Sequence, residues 1–143
     1  MKVGLASDHA GYGLKQSVIE WLKEMGHEVK DFGCYNTDSC DYPDFAHSMA
    51  NAVEQGLVER GIAICSTGNG ISMTVNKHAG IRAALCWDVA LADFARRHND
   101  ANILSLPANY ISKEMAKRIV EQFFTSEFEG GRHQRRIEKI PLK

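Results

Sequence analysis

The sequence predicts an α/β fold, a Rossmann-like three-layer sandwich with a five-stranded parallel sheet. Short apolar segments that suit strands alternate with segments whose apolar residues recur at helical spacing. No internal repeat, low-complexity stretch or interdomain linker interrupts this pattern. Such alternation is typical of a parallel sheet with right-handed crossovers and helices on both faces. With 143 residues, the chain is expected to form a single domain over residues 1–143.

The strands are predicted from short apolar runs followed by turn residues. The run at 62–64 is continuous and indicates a buried strand, with Cys65 at its last position, whereas the segment at 28–32 is a weaker strand. Pro107 closes the last run. The predicted strands are residues 2–7, 28–32, 62–65, 80–86 and 103–106.

Capping residues mark the expected ends of the helices. Asp41, Asp88 and Ser112 are placed as N-caps, and Pro43 lies in the first turn that follows Asp41. Gly26 is a stop signal for the first helix. The predicted helices are residues 12–25, 43–53, 71–77, 89–98, 113–123 and 132–140.

The most informative stretch is residues 61–72, in which a strand, a glycine-rich turn and a helix follow one another. This order presents unpaired backbone N–H groups at a helix N-terminus, which is an anion site. The same field favours the thiolate form of a cysteine placed there. We therefore expect Cys65 to be a proton-abstracting thiolate that acts on a small phosphorylated metabolite.

Two other interpretations of this stretch stay open. A buried cysteine is commonly a small hydrophobic residue, and a strand-to-helix turn forms without any ligand. The turn lacks the Gly-Lys-Ser/Thr sequence of a P-loop, and it is not the dinucleotide fingerprint that follows a first strand. The glycine-rich turn alone is therefore a weak signal.

Polar residues at the ends of other segments extend the candidate site. Asp8 and His9 follow the first strand, and in a parallel sheet they share one edge with residues 65–70. His98 and Asn99 end a helix instead, which places them at the opposite edge unless the helix overshoots or another subunit contributes them. A lone His98 is otherwise a helix C-cap partner.

The C-terminal segment contains a cluster of arginines. Arg132 and Arg136 are spaced i, i+4 and share one helix face, and two guanidinium groups suit a phosphate. A solvated basic face is the alternative. The six histidines lack the paired spacing of zinc ligands and no Cys-x-x-Cys occurs, so no metal is expected.

Composition narrows the class of protein. A formal net charge of −1 gives no reason to expect nucleic acid or an anionic membrane as a partner. No apolar run reaches the roughly 20 residues needed to span a bilayer, and no secretory signal is evident after Met1. Four cysteines in a chain of this size favour a reduced, cytoplasmic protein, with no role assigned to Cys34, Cys40 or Cys86.

Five short sequence motifs, taken together, are specific enough to indicate a protein family. They are Ser-Asp-His-Ala-Gly at 7–11, Asp-Tyr-Pro-Asp at 41–44, Cys-Ser-Thr-Gly-Asn-Gly-Ile-Ser at 65–72 with Asn-Lys at 76–77, His-Asn-Asp-Ala-Asn at 98–102 and Gly-Gly-Arg-His-Gln-Arg-Arg at 130–136. In this combination the chain closely resembles the ribose-5-phosphate isomerase type B family, whose relatives include galactose-6-phosphate isomerase subunits. The resemblance covers essentially the whole chain.

The resemblance implies an aldose–ketose isomerase that interconverts ribose 5-phosphate and ribulose 5-phosphate through an enediolate, without a cofactor. Cys65 would be the base that moves a proton between C1 and C2, and Thr67 would assist the N–H groups that hold the enediolate oxygen. His98, helped by Asp8, would open the furanose ring. The implied substrate-binding residues are Asp8, His9, Ser66, Thr67, Gly68, Asn69, Gly70, Asn99, Arg132 and Arg136.

The same resemblance implies a homodimer, or a dimer of dimers, in which the partner subunit supplies His98 and Asn99 to each site. Two departures from the family pattern stand out. Ser66 occupies a position where many members have glycine, and Asn109 lies near the position of a further phosphate-binding arginine. The effect of Asn109 on the affinity for phosphate and on the preference for substrate length stays open.

Three other functions compete with this interpretation. The nearest is an isomerase of a six-carbon sugar phosphate, such as allose 6-phosphate or galactose 6-phosphate. A non-catalytic phosphosugar-binding protein would keep the same anion site. A cysteine hydrolase would pair Cys65 with His98, which only geometry can recognise.

Overall fold

The computed structural model describes residues 1–142 and contains a five-stranded, all-parallel sheet in the order β2-β1-β3-β5-β4. The strands are β1 (Lys2–Ser7), β2 (Glu28–Asp31), β3 (Arg60–Cys65), β4 (Ala83–Leu85) and β5 (Ile103–Pro107). The helices are α1 (Tyr12–Glu24), α2 (Tyr42–Glu54), α3 (Asn69–Val75), α4 (Val89–Arg97), α5 (Lys113–Thr125) and α6 (Arg132–Ile137). The predicted α/β class and Rossmann-like architecture are confirmed.

Two apolar cores lie on the two faces of the sheet, because helices cover both. One core joins the sheet to α1, α4 and α5 through residues such as Leu22, Ala95 and Phe123. The other joins it to α2 and α3 through residues such as Met49 and Ile71. Strands buried on both faces explain the continuous apolar runs in the sequence.

The sheet order creates a switch point between β1 and β3. From β1 the chain continues to β2 on one side and then crosses to β3 on the other side. The two strands run in register from Val3 opposite Arg60 to Ser7 opposite Ile64, so their carboxyl ends lie side by side. Ligand sites of open α/β sheets form at such a point.

The fourth strand is shorter than predicted. Residues 80–86 were expected to be a strand, but β4 contains only Ala83–Leu85. The side chain of Asn102 forms hydrogen bonds with the backbone that precedes β4. Arg82 N–H donates to Asn102 Oδ1 at 2.8 Å, and Asn102 Nδ2 donates to the carbonyl of Gly80 at 2.8 Å. Side-chain bonds there replace the ladder, so the apolar pattern overestimated the strand.

Each helix also differs from its predicted bounds by one to three residues. Helix α3 begins at Asn69, two residues before the predicted start, because Gly68 takes a left-handed conformation as its N-cap. Helix α6 ends at Ile137 rather than at 140, and residues 138–140 continue only as turns. Within residues 1–142, no helix combines the length and the apolar character that crossing a membrane requires.

Candidate active site

Cys65 is the last residue of β3, and its side chain lies at the edge of the core between the sheet and helices α2 and α3. The residue is 5% exposed. Its sulfur accepts a hydrogen bond from the backbone N–H of Gly68 at 3.2 Å. The thiol is therefore enclosed on its core side and faces the turn that follows the strand.

The turn after Cys65 has a shape that requires glycine. Gly68 has a φ of +76°, and a Cβ there would lie 2.3 Å from Leu85 Cδ1. Asn69 N–H donates to Thr67 Oγ1 at 3.2 Å. The N–H groups of Gly70 and Ile71 lie in the first turn of α3, where the helix itself provides no carbonyl for them. The turn therefore directs one N–H donor at the Cys65 sulfur and leaves others at the start of α3.

Asp8 and His9 lie beside this turn at the end of β1. Asp8 is 7% exposed, its N–H donates to the carbonyl of Ile64 at 3.2 Å, and its Oδ1 accepts from the N–H of Gly11 at 2.9 Å. One carboxylate oxygen of Asp8 therefore holds the start of α1. A Cβ at Gly11 would lie 2.6 Å from the carbonyl oxygen of Ile64, so glycine permits this close approach.

The imidazole of His9 is exposed and is oriented by its neighbour in the 33–41 loop. Its Nδ1 lies 3.3 Å from the backbone N–H of Cys40, which donates to it. In the neutral ring the proton then resides on Nε2. His9 thus presents a hydrogen-bond donor to any anion at this edge.

Tyr42 is a residue of this edge to which sequence reasoning gave no role. A Cβ at Gly70 would lie 2.4 Å from the Tyr42 hydroxyl oxygen, so the phenol is packed directly on the turn. The signal was its place in the Asp-Tyr-Pro-Asp stretch at 41–44, which helped to define the resemblance without a role for the tyrosine.

A second group of candidate residues forms around the end of α4. His98 is the C-cap of α4, and its ring stacks on that of His133 with centroids 4.2 Å apart and planes 11° apart. A cavity of about 290 Å³ lies here, lined by His98, Asn99, His133, Arg136, Ile137 and Ile140. Arg132 and Arg136 are both exposed on α6.

One chain does not bring the two groups together. Gly61, at the start of β3, donates its N–H to the carbonyl of Asn102 at 2.9 Å, so the segment that contains His98 and Asn99 lies at the amino edge of the sheet. Cys65 is four residues further along β3, about 13 Å away at the usual rise of a strand. The geometry agrees with the expectation that His98 lies at the opposite edge.

His133 is the second residue to which sequence reasoning gave no role. It is 7% exposed, and its Nε2 lies 3.6 Å from Glu129 Oε1, which is too long for a hydrogen bond. Burial, followed by the positive charges of His98 and Arg132, lowers the pKa of His133 below its usual value. A neutral imidazole therefore underlies the His98 ring.

Among residues 1–142, one group could hold a metal ion: donor atoms of His98, Glu129 and His133 lie within 4.8 Å of one another. Spacing alone missed it because His98 is distant in sequence. The two imidazoles are stacked in nearly parallel planes, so their ring nitrogens do not converge on one point. Arg97 Nε already donates to Glu129 Oε2 at 2.7 Å. The group is not arranged as a metal centre.

A thiol at the switch point of a parallel sheet, beside the N-terminus of a helix, suits proton transfer on a small anionic substrate. Comparison with known proteins defines the class further. Residues 3–140 match the model of the Ribose/Galactose Isomerase family, and the chain belongs to that family. It is 43% identical over 139 residues to ribose-5-phosphate isomerase B of Escherichia coli strain K12, which covers 97% of this chain and 93% of that protein.

Solved structures give the same result. Ribose-5-phosphate isomerase B of Clostridium thermocellum superposes with a TM-score of 0.97 at 48% identity, covering 98% of this chain and 95% of that one. The Mycoplasma genitalium enzyme with bound ribulose-5-phosphate gives 0.93 at 42% identity, covering 97% and 93%. The predicted family, and with it the prediction of an aldose–ketose isomerase, is confirmed.

Proposed function

We propose that this protein interconverts ribose 5-phosphate and ribulose 5-phosphate through an enediolate, with Cys65 as the proton-transfer base. The observation that supports this most is the Cys65 sulfur at the end of β3, which accepts the N–H of Gly68 and faces a turn of further N–H donors. The names of the relatives support the five-carbon substrate over the six-carbon alternatives.

The reaction requires one base and a fixed positive field. The Cys65 thiolate takes the proton from C2 of the open-chain aldose, the electron pair forms the C1–C2 double bond, and charge develops on O1. Transfer of the O2 hydroxyl proton to O1 and return of the proton from the Cys65 thiol to C1 give the ketose and restore the thiolate. A positioned base contributes about 10²–10⁴-fold, and each oxyanion donor about 10²–10³-fold.

We assign the donors for the developing oxyanion to the turn after β3. The N–H groups of residues 66–70 belong to this turn, where Gly68 N–H donates to the Cys65 sulfur and Thr67 Oγ1, which accepts from Asn69 N–H, holds the turn in shape. These donors are fixed by the fold before substrate arrives. Preorganisation of this kind is the largest electrostatic contribution to many enzymes.

The remaining roles belong to ring opening and phosphate binding. His98, helped by the free carboxylate oxygen of Asp8, opens the furanose ring, and Asn99 hydrogen-bonds the sugar. His9 Nε2 and the guanidinium groups of Arg132 and Arg136 hold the phosphate dianion, which suits bidentate donors. Phosphate binding supplies energy remote from the reacting carbons.

We further propose a homodimer whose partner subunit supplies His98, Asn99 and the two arginines to each Cys65 site. The position of these residues at opposite edges of the sheet supports a shared site. Exposed apolar side chains support an interface, since Met73 on α3 is 67% exposed and Phe94, which contacts the His98 ring, is 44% exposed. Opposite edges also argue against a cysteine hydrolase dyad within one chain.

Location and domain organisation complete the proposal. All four cysteines are free, which supports a reducing compartment and therefore the cytoplasm. Both apolar cores pack on the same sheet, which supports one phosphosugar isomerase domain over residues 1–143.

The test is solvent deuterium exchange at substrate C2, measured by NMR on ribose 5-phosphate with the wild type, Cys65→Ala and the control Cys86→Ala. Cys65→Ala is expected to lose exchange by at least about 10³-fold while still binding ribulose 5-phosphate in calorimetry. Cys86, a buried cysteine outside the site, should be replaceable without loss of exchange. Deuterium exchange at the wild-type rate in the Cys65→Ala variant would exclude the thiol as the base. Absence of exchange with the wild-type protein would indicate a binding protein.

A further inference from the structure

The segments that follow β3 and β5 stay hydrogen-bonded to each other beyond the ends of the two strands. Ala108 N–H donates to the carbonyl of Cys65 at 2.9 Å, and Asn109 N–H donates to the carbonyl of Ser66 at 3.1 Å. A side-chain bond completes the contact, because Asn109 Nδ2 donates to Ser66 Oγ at 2.7 Å. Three hydrogen bonds therefore hold the point at which the turn after Cys65 begins.

The hydrogen bond between the side chains of Ser66 and Asn109 joins residues that are 43 positions apart in sequence. Neither residue belongs to the apolar cores, and Asn109 is exposed while Ser66 is half-buried. The contact therefore concerns the shape of the turn and not the packing of the core.

We propose that Asn109 is a positioning residue for the isomerisation. Its hydrogen bond to Ser66 fixes the first peptide of the turn, so that the N–H groups of residues 66–70 keep their distance from the enediolate oxygen. This inference rests on the proposed function, because it assigns those N–H groups to the oxyanion. Small displacements of preorganised donors reduce the rate of the chemical step and leave binding of the remote phosphate unchanged.

The proposed role of the bond between Asn109 and Ser66 predicts how kcat and KM change when either residue is replaced. Asn109→Leu and Ser66→Ala each remove one half of the bond, and each is expected to lower kcat by about threefold to tenfold, the range of one net hydrogen bond. KM should stay within about twofold of the wild type, since the phosphate ligands are elsewhere. The double variant should be no slower than the slower single variant, because the bond is lost only once.

The experiment measures kcat and KM for ribose 5-phosphate in these three variants, in Ser66→Thr and in the control Asn51→Leu, which makes the same exchange at an exposed position of α2. Ser66→Thr keeps an acceptor oxygen and should therefore have a higher kcat than Ser66→Ala. Hydrogen–deuterium exchange of the 66–70 amides is measured in parallel and should be faster in Asn109→Leu than in the wild type and in Asn51→Leu.

Each result decides the matter. Wild-type kcat in Asn109→Leu, multiplied effects in the double variant, or a rise in KM without a fall in kcat would overturn the inference. An inactive wild type would refute the proposed function, and the amide exchange would then decide alone whether Asn109 holds the turn. Unchanged exchange at residues 66–70 would show that it does not.

Discussion

Arg135 and Arg136 are neighbours on α6 and are both exposed, yet only Arg136 lines the cavity beside His98 and Asn99. Arg136 shares a helix face with Arg132, whereas Arg135 points about 100° away from it. The two arginines therefore provide a matched pair for testing the phosphate site.

We expect Arg136→Ala to raise KM by about tenfold or more with little change in kcat, because a charge-assisted bond to phosphate stabilises substrate and transition state alike. Arg135→Ala, which removes the same charge, should leave KM near the wild-type value. Steady-state kinetics at fixed ionic strength measure both. An equal rise in KM for the two variants would mean that net charge alone attracts the substrate.

Cys86 differs chemically from Cys65, although both lie at the ends of strands. Cys86 is 1% exposed, and burial raises its pKa to about 12. The thiolate is the reactive form, so at about pH 8 Cys86 of the folded protein should resist iodoacetamide. Peptide mass spectrometry before and after unfolding in urea checks this. Alkylation of Cys86 in the folded protein would contradict the burial that the structure shows.

At the scale of one element, the turn between β3 and α3 depends on the left-handed Gly68. Gly68→Ala should lower the free energy of unfolding by more than the about 1–3 kcal/mol that strained backbone costs, because the added Cβ also meets Leu85 and the backbone of Leu106. Gly26→Ala is the control, since Gly26 has a φ of +88° but open space around the new Cβ.

Urea unfolding of both variants measures the difference. Gly26→Ala is expected to cost only about 1 kcal/mol, the strain of a left-handed alanine. Equal losses in the two variants would show that the close contact at Gly68 relaxes without cost.

A carboxylate ties the end of α2 to the loop between α3 and β4. Glu54 Oε2 accepts from Gly80 N–H at 2.8 Å and Oε1 lies 2.8 Å from His78 Nδ1. The Gly80 N–H, followed by His78, lowers the pKa of Glu54 from its ordinary value of 4.5. A carboxyl whose pKa is lowered in the folded state stabilises the protein at pH values above its ordinary pKa. This contribution disappears as the pH falls through the folded-state pKa.

We therefore expect Glu54→Gln to lower the melting temperature at about pH 7 and to have a smaller effect at a pH far enough below 4.5 that the wild-type carboxyl is protonated. Glu24→Gln, at the exposed end of α1, should have little effect at either pH. Calorimetry at both pH values measures the difference. A Glu54→Gln effect that is the same at both would show that the charge of Glu54 does not contribute.

The boundaries of the strands and helices show which structural features a sequence pattern can predict. The ends of β3 and β5 were predicted to within two residues, because apolar runs and Pro107 are local signals. The extent of β4 was not, since Asn102 satisfies the backbone before it from across the chain. Asp41 was expected as an N-cap and lies at that position, but its side chain makes no capping hydrogen bond, unlike Asp88 and Ser112.

At the scale of the whole molecule, topology predicted which candidate residues share an edge. Asp8 and Cys65 lie at the same edge because the carboxyl ends of parallel strands lie together, a rule that needs no side-chain detail. The stack of His98 on His133 and the bond between Ser66 and Asn109 join residues distant in sequence. No periodicity or spacing encodes such contacts, so only the packed structure showed them.

If each site contains residues of two subunits, two inactive variants should regain activity when they form mixed dimers. Cys65→Ala and His98→Ala are each expected to be nearly inactive on ribose 5-phosphate. After unfolding and refolding as an equimolar mixture, half of the dimers are mixed and each holds one intact site, so activity should return to about one quarter of the wild type. Refolding each variant alone is the control.

Absence of recovery, with mixed dimers verified by native mass spectrometry, would place all catalytic groups of a site in one subunit. The same mixture tests the assembly itself, because light scattering of the wild type should give the mass of a dimer or of a dimer of dimers. An active monomer would exclude the proposed sharing.

The separation of Cys65 from the His98 cavity along β3 restricts how two copies of the chain can associate. Under the proposed sharing, each copy has one edge that contains Cys65 and another edge that contains the His98 and Asn99 supplied to its partner. A two-fold axis matches both edges of both copies at once, and the assembly is then closed. A head-to-tail pairing would leave one edge unmatched at each end and would continue as an open chain of molecules.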